Sequence, residues 1–209
     1  MSKFNSCLRS GHVSFGDDLN TVAEVTHLFG LAAMKLPYHA WFNVPGKQNV
    51  IGWLPSENGG NGWHNVPEYG PDTDSQGWSE ILTISEYNDD AKITAKRINE
   101  ELAAPKTRYV FFRLERDGAR WYKSFGAFEI DADSTRAAAA SGNPRVIYRR
   151  VSKTVDCLRV AEVKTVFTDA EFAALRDRVV EVLPGGGSLG DTFAAHEDES
   201  AHDTSDTMR

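Results

Sequence analysis

Nine of the ten cations between residues 108 and 153 of this 209-residue chain form one group: Arg108, Arg113, Arg116, Arg120, Lys123, Arg145, Arg149, Arg150 and Lys153. Tyr109, Phe111, Trp121, Tyr122, Phe125 and Tyr148 interleave them. Cationic side chains meet phosphates, and aromatic faces stack on unpaired bases. Seven of the nine are expected phosphate contacts: Arg113, Arg116, Arg120, Lys123, Arg149, Arg150 and Lys153. A second group, Trp53, Trp63, His64, Asn65, Tyr69 and Trp78, lies in a segment rich in glycine and asparagine. It combines stacking walls with amide and imidazole groups, which is what a base swung out of a duplex needs. Both groups have a second reading. Strand alternation sends one aromatic set inward, and tryptophans beside a long loop can simply cap a core.

Catalytic patterns are sparse. Glu162-Val163-Lys164 matches the second half of a metal-dependent nuclease motif, in which a carboxylate holds the ion and a lysine steadies the attacking water. Its upstream acid would be Asp131 or Asp133, awkwardly distant, or Asp156, too near. His64-Asn65 is half of a histidine-asparagine-histidine nuclease pattern, without a partner histidine at ligand spacing. His12-Val13-Ser14 and His202-Asp203-Thr204 imitate a paired phosphodiesterase motif. The chain has no nucleophile elbow, phosphate-binding glycine loop or metal-ligand spacing. Catalytic residues therefore stay unassigned, and neither a metal nor a cofactor is expected.

The formal charge of −7 conceals a strong asymmetry. Residues 1–91 hold four lysines and arginines against eleven acids, whereas residues 92–165 hold sixteen against nine. A basic centre thus lies between acidic ends, so the net charge does not exclude a polyanionic partner. Two cysteines, Cys7 and Cys157, share no motif, which fits a reducing compartment. The N-terminus lacks the apolar core of a signal peptide, and no run reaches the roughly 18 apolar residues of a membrane span. A cytoplasmic protein with no membrane partner is expected.

The elements that must position these residues can be traced in order. Asp18–Lys35 carries an apolar stripe through Leu19, Val22, Val25, Leu28, Phe29 and Ala32, with Asp17 or Asp18 as helix cap and Pro37 as terminator. Tyr38–Val44 and Asn49–Leu54 read as strands joined at Pro45-Gly46-Lys47. Residues 55–78 read as one long glycine-rich aromatic loop. A strand at Ser79–Ile84 and a helix at Asp89–Ala104, stopped by Pro105, follow. Arg108–Glu115 and Arg120–Ile130 then form a hairpin, with Gly126 marking a bulge or close approach. A short helix at Ala132–Ala140, strands at Arg145–Val151 and Val155–Val163, and a helix from Thr168 or Asp169 to Leu183 complete one α+β domain over residues 1–190. Residues 191–209 read as a disordered acidic tail.

In that hairpin and the strand after it, Arg108-Tyr109-Val110-Phe111, then Trp121 to Asp131, then Tyr148-Arg149-Arg150-Val151-Ser152 resemble a module attached to many bacterial restriction-type proteins. The module belongs to the PUA-like superfamily, which includes the SET-and-RING-associated domains that read modified cytosine in DNA. The match covers about residues 105–160, roughly a quarter of the chain. It implies a strongly curved mixed or antiparallel sheet, or a small open barrel, with flanking helices and a concave face able to hold a flipped base. The expectation is a DNA-binding module in a restriction or defence setting, reading a modified base, alone or with a protein partner that supplies catalysis. Two other classes remain open: a small metal-dependent nuclease or nucleotide-processing enzyme, and a protein-interaction module using the tryptophan-rich loop.

Overall fold

The computed structural model describes residues 3–31, 40–116, 118–159 and 162. The expected helix ending at Leu183, the tail 191–209, Lys164 and the His202 motif lie outside the described residues. Among the described residues, four helices and eleven strands occur in the order α1 (Lys3–Ser10), β1 (His12–Ser14), β2 (Asp18–Leu19), α2 (Val22–His27), β3 (Trp41–Asn43), β4 (Val50–Trp53), β5 (Asn58–Gly60), β6 (Trp63–Thr73), β7 (Ser79–Asn88), α3 (Ala91–Ala103), β8 (Thr107–Arg116), β9 (Ala119–Ile130), α4 (Ala132–Ala140), β10 (Val146–Ser152) and β11 (Thr154–Asp156). No helix among the described residues is long and apolar enough to cross a membrane.

The β8–β9 hairpin is the centre of the fold. Its register runs from Arg108↔Phe128 to Arg116↔Ala119. A large mixed sheet is built around it in the order β3-β4-β8-β9-β10-β7-β6-β5, with β2 added to β9. The β4–β8 pair is parallel and the others are antiparallel. Strands β1 and β11 pair separately. Alternation along β8 feeds two cores. Tyr109 and Phe111 join a cluster with α1, β1 and α2 residues, while Val110 and Phe112 join one with Trp53, Ile84, Ile98, Phe128 and Tyr148. Gly126 serves both expected purposes. Its φ of 92° sits at the register shift opposite Val110, and a Cβ there would collide with the Ser152 carbonyl oxygen.

The α+β expectation holds, but the sheet does not close into a barrel. Its edge strands β3 and β5 are three residues each, and β5 is Asn-Gly-Gly, too short and too bare for a closing ladder. Both edges still lie near each other, because only residues 54–57 link β4 to β5. Trp53 and Ile84, from strands four places apart in the sheet, accordingly meet in one core cluster.

Two local readings are corrected. The expected 55–78 loop is mostly strand: β6 pairs with β7 from Trp63↔Asn88 to Thr73↔Ser79, with shifts around Tyr69. Its prolines concealed it. Strand β5 pairs with β6 only through Trp63 and His64, so Pro67 and Pro71 sit where β6 is an edge. The expected Asp18–Lys35 helix is six residues long where described, capped by Thr21 Oγ1 and not by an aspartate. Asp18 is held instead in β2, opposite Lys123.

Candidate functional site

Trp53, Trp63 and Asn65 line one cavity of about 500 Å³. It opens where a closed barrel would have joined its edges, between the end of β4 and the β5–β6 hairpin, with α3 as the far wall. Trp63 and Asn65 reach it together because alternate residues of a strand share a face. Asn65 is buried and fixed, its Nδ2 donating to the Ser56 carbonyl at 2.7 Å. Trp53 is also buried, edge-on to Tyr148 at 5.2 Å, so one ring serves the core and the cavity wall. Gly60, Asn61 and Gly62 form the hairpin tip in the left-handed region, at φ of 71°, 51° and 75°. Asn88 Nδ2 anchors that tip through the Asn61 carbonyl at 3.0 Å.

The cavity contains a charged group that the sequence did not single out. Glu86 lines it, nearly buried, and accepts from Tyr148 Oη at 2.9 Å and Arg97 Nε at 3.3 Å. Arg97 also reaches Glu101 at 3.2 Å, and Glu101 meets the fully buried Arg108 at 2.6 Å. The Arg108 guanidinium lies 4.2 Å from the centroid of the Tyr148 ring. Burial works against the charge on Arg97, but Glu86 and Glu101 outweigh it and hold the guanidinium firmly protonated. Burial, reinforced by Glu86, keeps the Tyr148 hydroxyl protonated well above its ordinary range. An ionised carboxylate offers about four lone-pair sites, so these bonds leave Glu86 able to accept more. A signal for Glu86 was available: it lies two residues beyond the core residue Ile84 on one strand, and so on the same face.

The remaining expected pocket residues are elsewhere. His64 is adjacent to Asn65 and must point to the other face of β6. It stacks on Tyr87 at 4.9 Å and pairs with Asp89 at 2.9 Å. Tyr69 is exposed beyond the first register shift. Trp78 lies against Trp121 and over the Lys123 ammonium.

The seven expected phosphate contacts divide sharply. Lys123 is completely buried, held by Asp74 at 2.7 Å and Asp18 at 2.8 Å. Arg150 is nearly buried against Glu80, which Lys153 also contacts at 3.0 Å. Lys123 and Arg150 are desolvated, and a desolvated cation must be paired, whereas Lys153, just beyond β10, is half exposed. Arg149 holds Asp131 through two nitrogens, and Arg120 pairs with Glu115 at 2.9 Å. Arg116 closes β8 at the turn. Of the six whose side chains are described, Arg113 lines the cavity, its side chain 3.4 Å from Ser56 Oγ. The acids weighed for nuclease chemistry are likewise engaged. Asp131 caps α4, Asp133 meets Arg136 at 3.4 Å, and Asp156 meets His12 and Lys47.

No model of a known protein family and no curated protein sequence matches the chain. Among solved structures, the fold is similar to that of the 5-hydroxymethylcytosine-specific restriction enzyme AbaSI, with a TM-score of 0.57 and 23% identity. The match covers 75% of this chain and 46% of that one, so the chain spans under half the length of the enzyme whose fold it shares.

Proposed function

We propose that the chain is a DNA-recognition module that receives an extruded, modified base in the cavity between α3 and the open sheet edges. The observation that carries this reading is the cavity wall itself. Trp63 supplies a half-buried ring and Trp53 a buried one, Asn65 and Glu86 supply fixed polar edges, and the exposed Arg113 completes the lining. A flipped base is bound by such stacking and edge contacts. A carboxylate in that position suits the exocyclic amine of cytosine, an acceptor-to-donor match. The cavity volume lies within the range of small-molecule sites, which leaves room for a substituent on the ring. The shared fold with a hydroxymethylcytosine-specific enzyme supports a restriction setting, with DNA cleavage supplied by this protein's partner or by its own unassigned groups. A protein-docking role is less well supported: Trp41 and Ile93, the exposed apolar residues here, have Arg113, Lys96 and Arg97 beside them in the same lining.

The test compares affinity for duplex DNA containing one 5-hydroxymethylcytosine with the same duplex containing cytosine. The modified duplex should bind more tightly. Trp63→Ala should weaken it about tenfold to a hundredfold, the equivalent of the roughly 1–3 kcal/mol of one stacked base, with little change in melting temperature. Equal affinity for both duplexes, unaffected by Trp63→Ala, would remove the base-pocket reading.

A further inference from the structure

An extruded base remains covalently attached to its own phosphates, so the backbone must pass close to the mouth of any pocket that holds it. This constraint, together with the pairing of the β9 and β10 cations, indicates where the DNA lies. Lys123, Arg150, Lys153, Arg149 and Arg120 each have a carboxylate within about 3 Å. A phosphate arriving there must displace that carboxylate or share its cation, which reduces the counterion release that drives binding. Around the mouth the balance is different. Arg113 has Ser56 Oγ as its hydrogen-bond partner, and Lys106 lies 6.0 Å from the centroid of Trp41. Among the described residues, no carboxylate lies within 4.0 Å of either cation. Lys96 is 79% exposed and reaches Glu100 only at 3.8 Å, a surface contact that a phosphate readily replaces. Trp41 and Ile93, 42% and 44% exposed, add apolar surface to the same cavity lining.

We infer that the sugar–phosphate backbone of duplex DNA docks across the mouth of the cavity, on Lys96, Lys106 and Arg113, and not on Lys153 or the cations of β9 and β10. The inference rests on reading the cavity as a base pocket, and it assigns two residues, Lys96 and Lys106, that no sequence motif marked. Glu100 is the opposing charge at this surface and sets a preference for a backbone that passes on the Arg113 and Lys106 side.

Two triple variants of the full chain test it: Lys96→Gln, Lys106→Gln, Arg113→Gln against Arg120→Gln, Arg149→Gln, Lys153→Gln. Binding of the hydroxymethylated and plain duplexes is measured between about 50 and 200 mM salt, with melting temperatures recorded for both variants. The mouth variant should weaken both duplexes by a similar factor and lower the slope of log affinity against log salt by about 2–3, roughly 0.9 for each phosphate that is no longer neutralised. The strand variant should keep the parental slope. The reverse pattern overturns the inference while leaving the base pocket standing. A parent that binds both duplexes equally, yet loses its slope in the mouth variant, would dismiss the pocket and retain the docking surface. A parent without salt-dependent DNA binding ends both.

Discussion

Lys123 shows how a residue's environment overrides its type. On a solvated strand it would be a phosphate ligand. Here its ammonium is enclosed by Asp74, Asp18, the Gly16 carbonyl and Gln76, and it fastens the β6–β7 turn to β9. Removing one member of a buried pair leaves the other desolvated and unpaired, at a cost of about 3–5 kcal/mol. Lys123→Met should therefore lower unfolding stability by that order in a urea titration, whereas Arg149→Gln, whose pair is largely exposed, should shift it by less than about 1 kcal/mol. Equal, small losses would show that the Lys123 cluster is not the clamp its geometry suggests. The same reasoning separates the tryptophans. Trp53 supports Tyr148 and Arg108 beneath the cavity, while Trp63 is a half-buried wall, so only Trp63 is suited to a clean binding variant.

At the scale of elements, Gly126 decides how β9 changes partners. Before it, Tyr122 and Lys123 pair with β2; after it, Ala127 to Ile130 pair with β10. The bulge supplies the change of direction, and the Ser152 carbonyl occupies the space where a side chain would begin. Gly118, in the hairpin turn, has nearly the same φ, 79°, but open space around it. Both alanine variants incur left-handed strain of about 1–2 kcal/mol, and Gly126→Ala adds a backbone collision. Thermal melting should place Gly126→Ala well below Gly118→Ala. Matching midpoints would mean that β10 yields freely and the close approach carries no weight.

Acid sensitivity belongs to the whole molecule, because the carboxylates involved join distant segments. Burial alone would raise Asp74 and Glu80, but Lys123 and nearby backbone N–H groups lower Asp74, and Arg150 and Lys153 lower Glu80. The Ser134 N–H and Arg149 lower Asp131. Groups with depressed native pKa values stabilise fully above their unfolded values, about 4, and lose that contribution as pH falls through the native ones. Glu24 has the opposite sign: burial raises its pKa, so its protonation in acid favours the fold. Three groups outnumber one. The melting temperature should be nearly level from about pH 7 to 5 and fall below about pH 4, with a shallower acid limb for Glu80→Gln relative to its own neutral-pH midpoint. A parent midpoint unchanged down to about pH 3 would contradict the linkage.

Local order was legible in the residue pattern because its causes are local. Alternation along Arg108–Ile130, the hairpin turn, the bulge at Gly126 and the helix ending before Pro105 all depend on neighbours a few positions away. The strand through Trp63–Thr73 was hidden because prolines and glycines read as loop until β7 and the open edge are known. The site divides in the same way. The sequence could select Trp53, Trp63, Asn65 and Arg113 by type, but it could not separate them from His64, Tyr69 and Trp78. It also left every cation of β9 and β10 looking available. Lys123, Arg150 and Lys153 take partners 49, 70 and 81 positions away, and the cavity joins β4, β6, β7 and α3 across an open sheet. Charge pairing and cavity formation depend on distance through space, and only the tertiary structure brings those positions together.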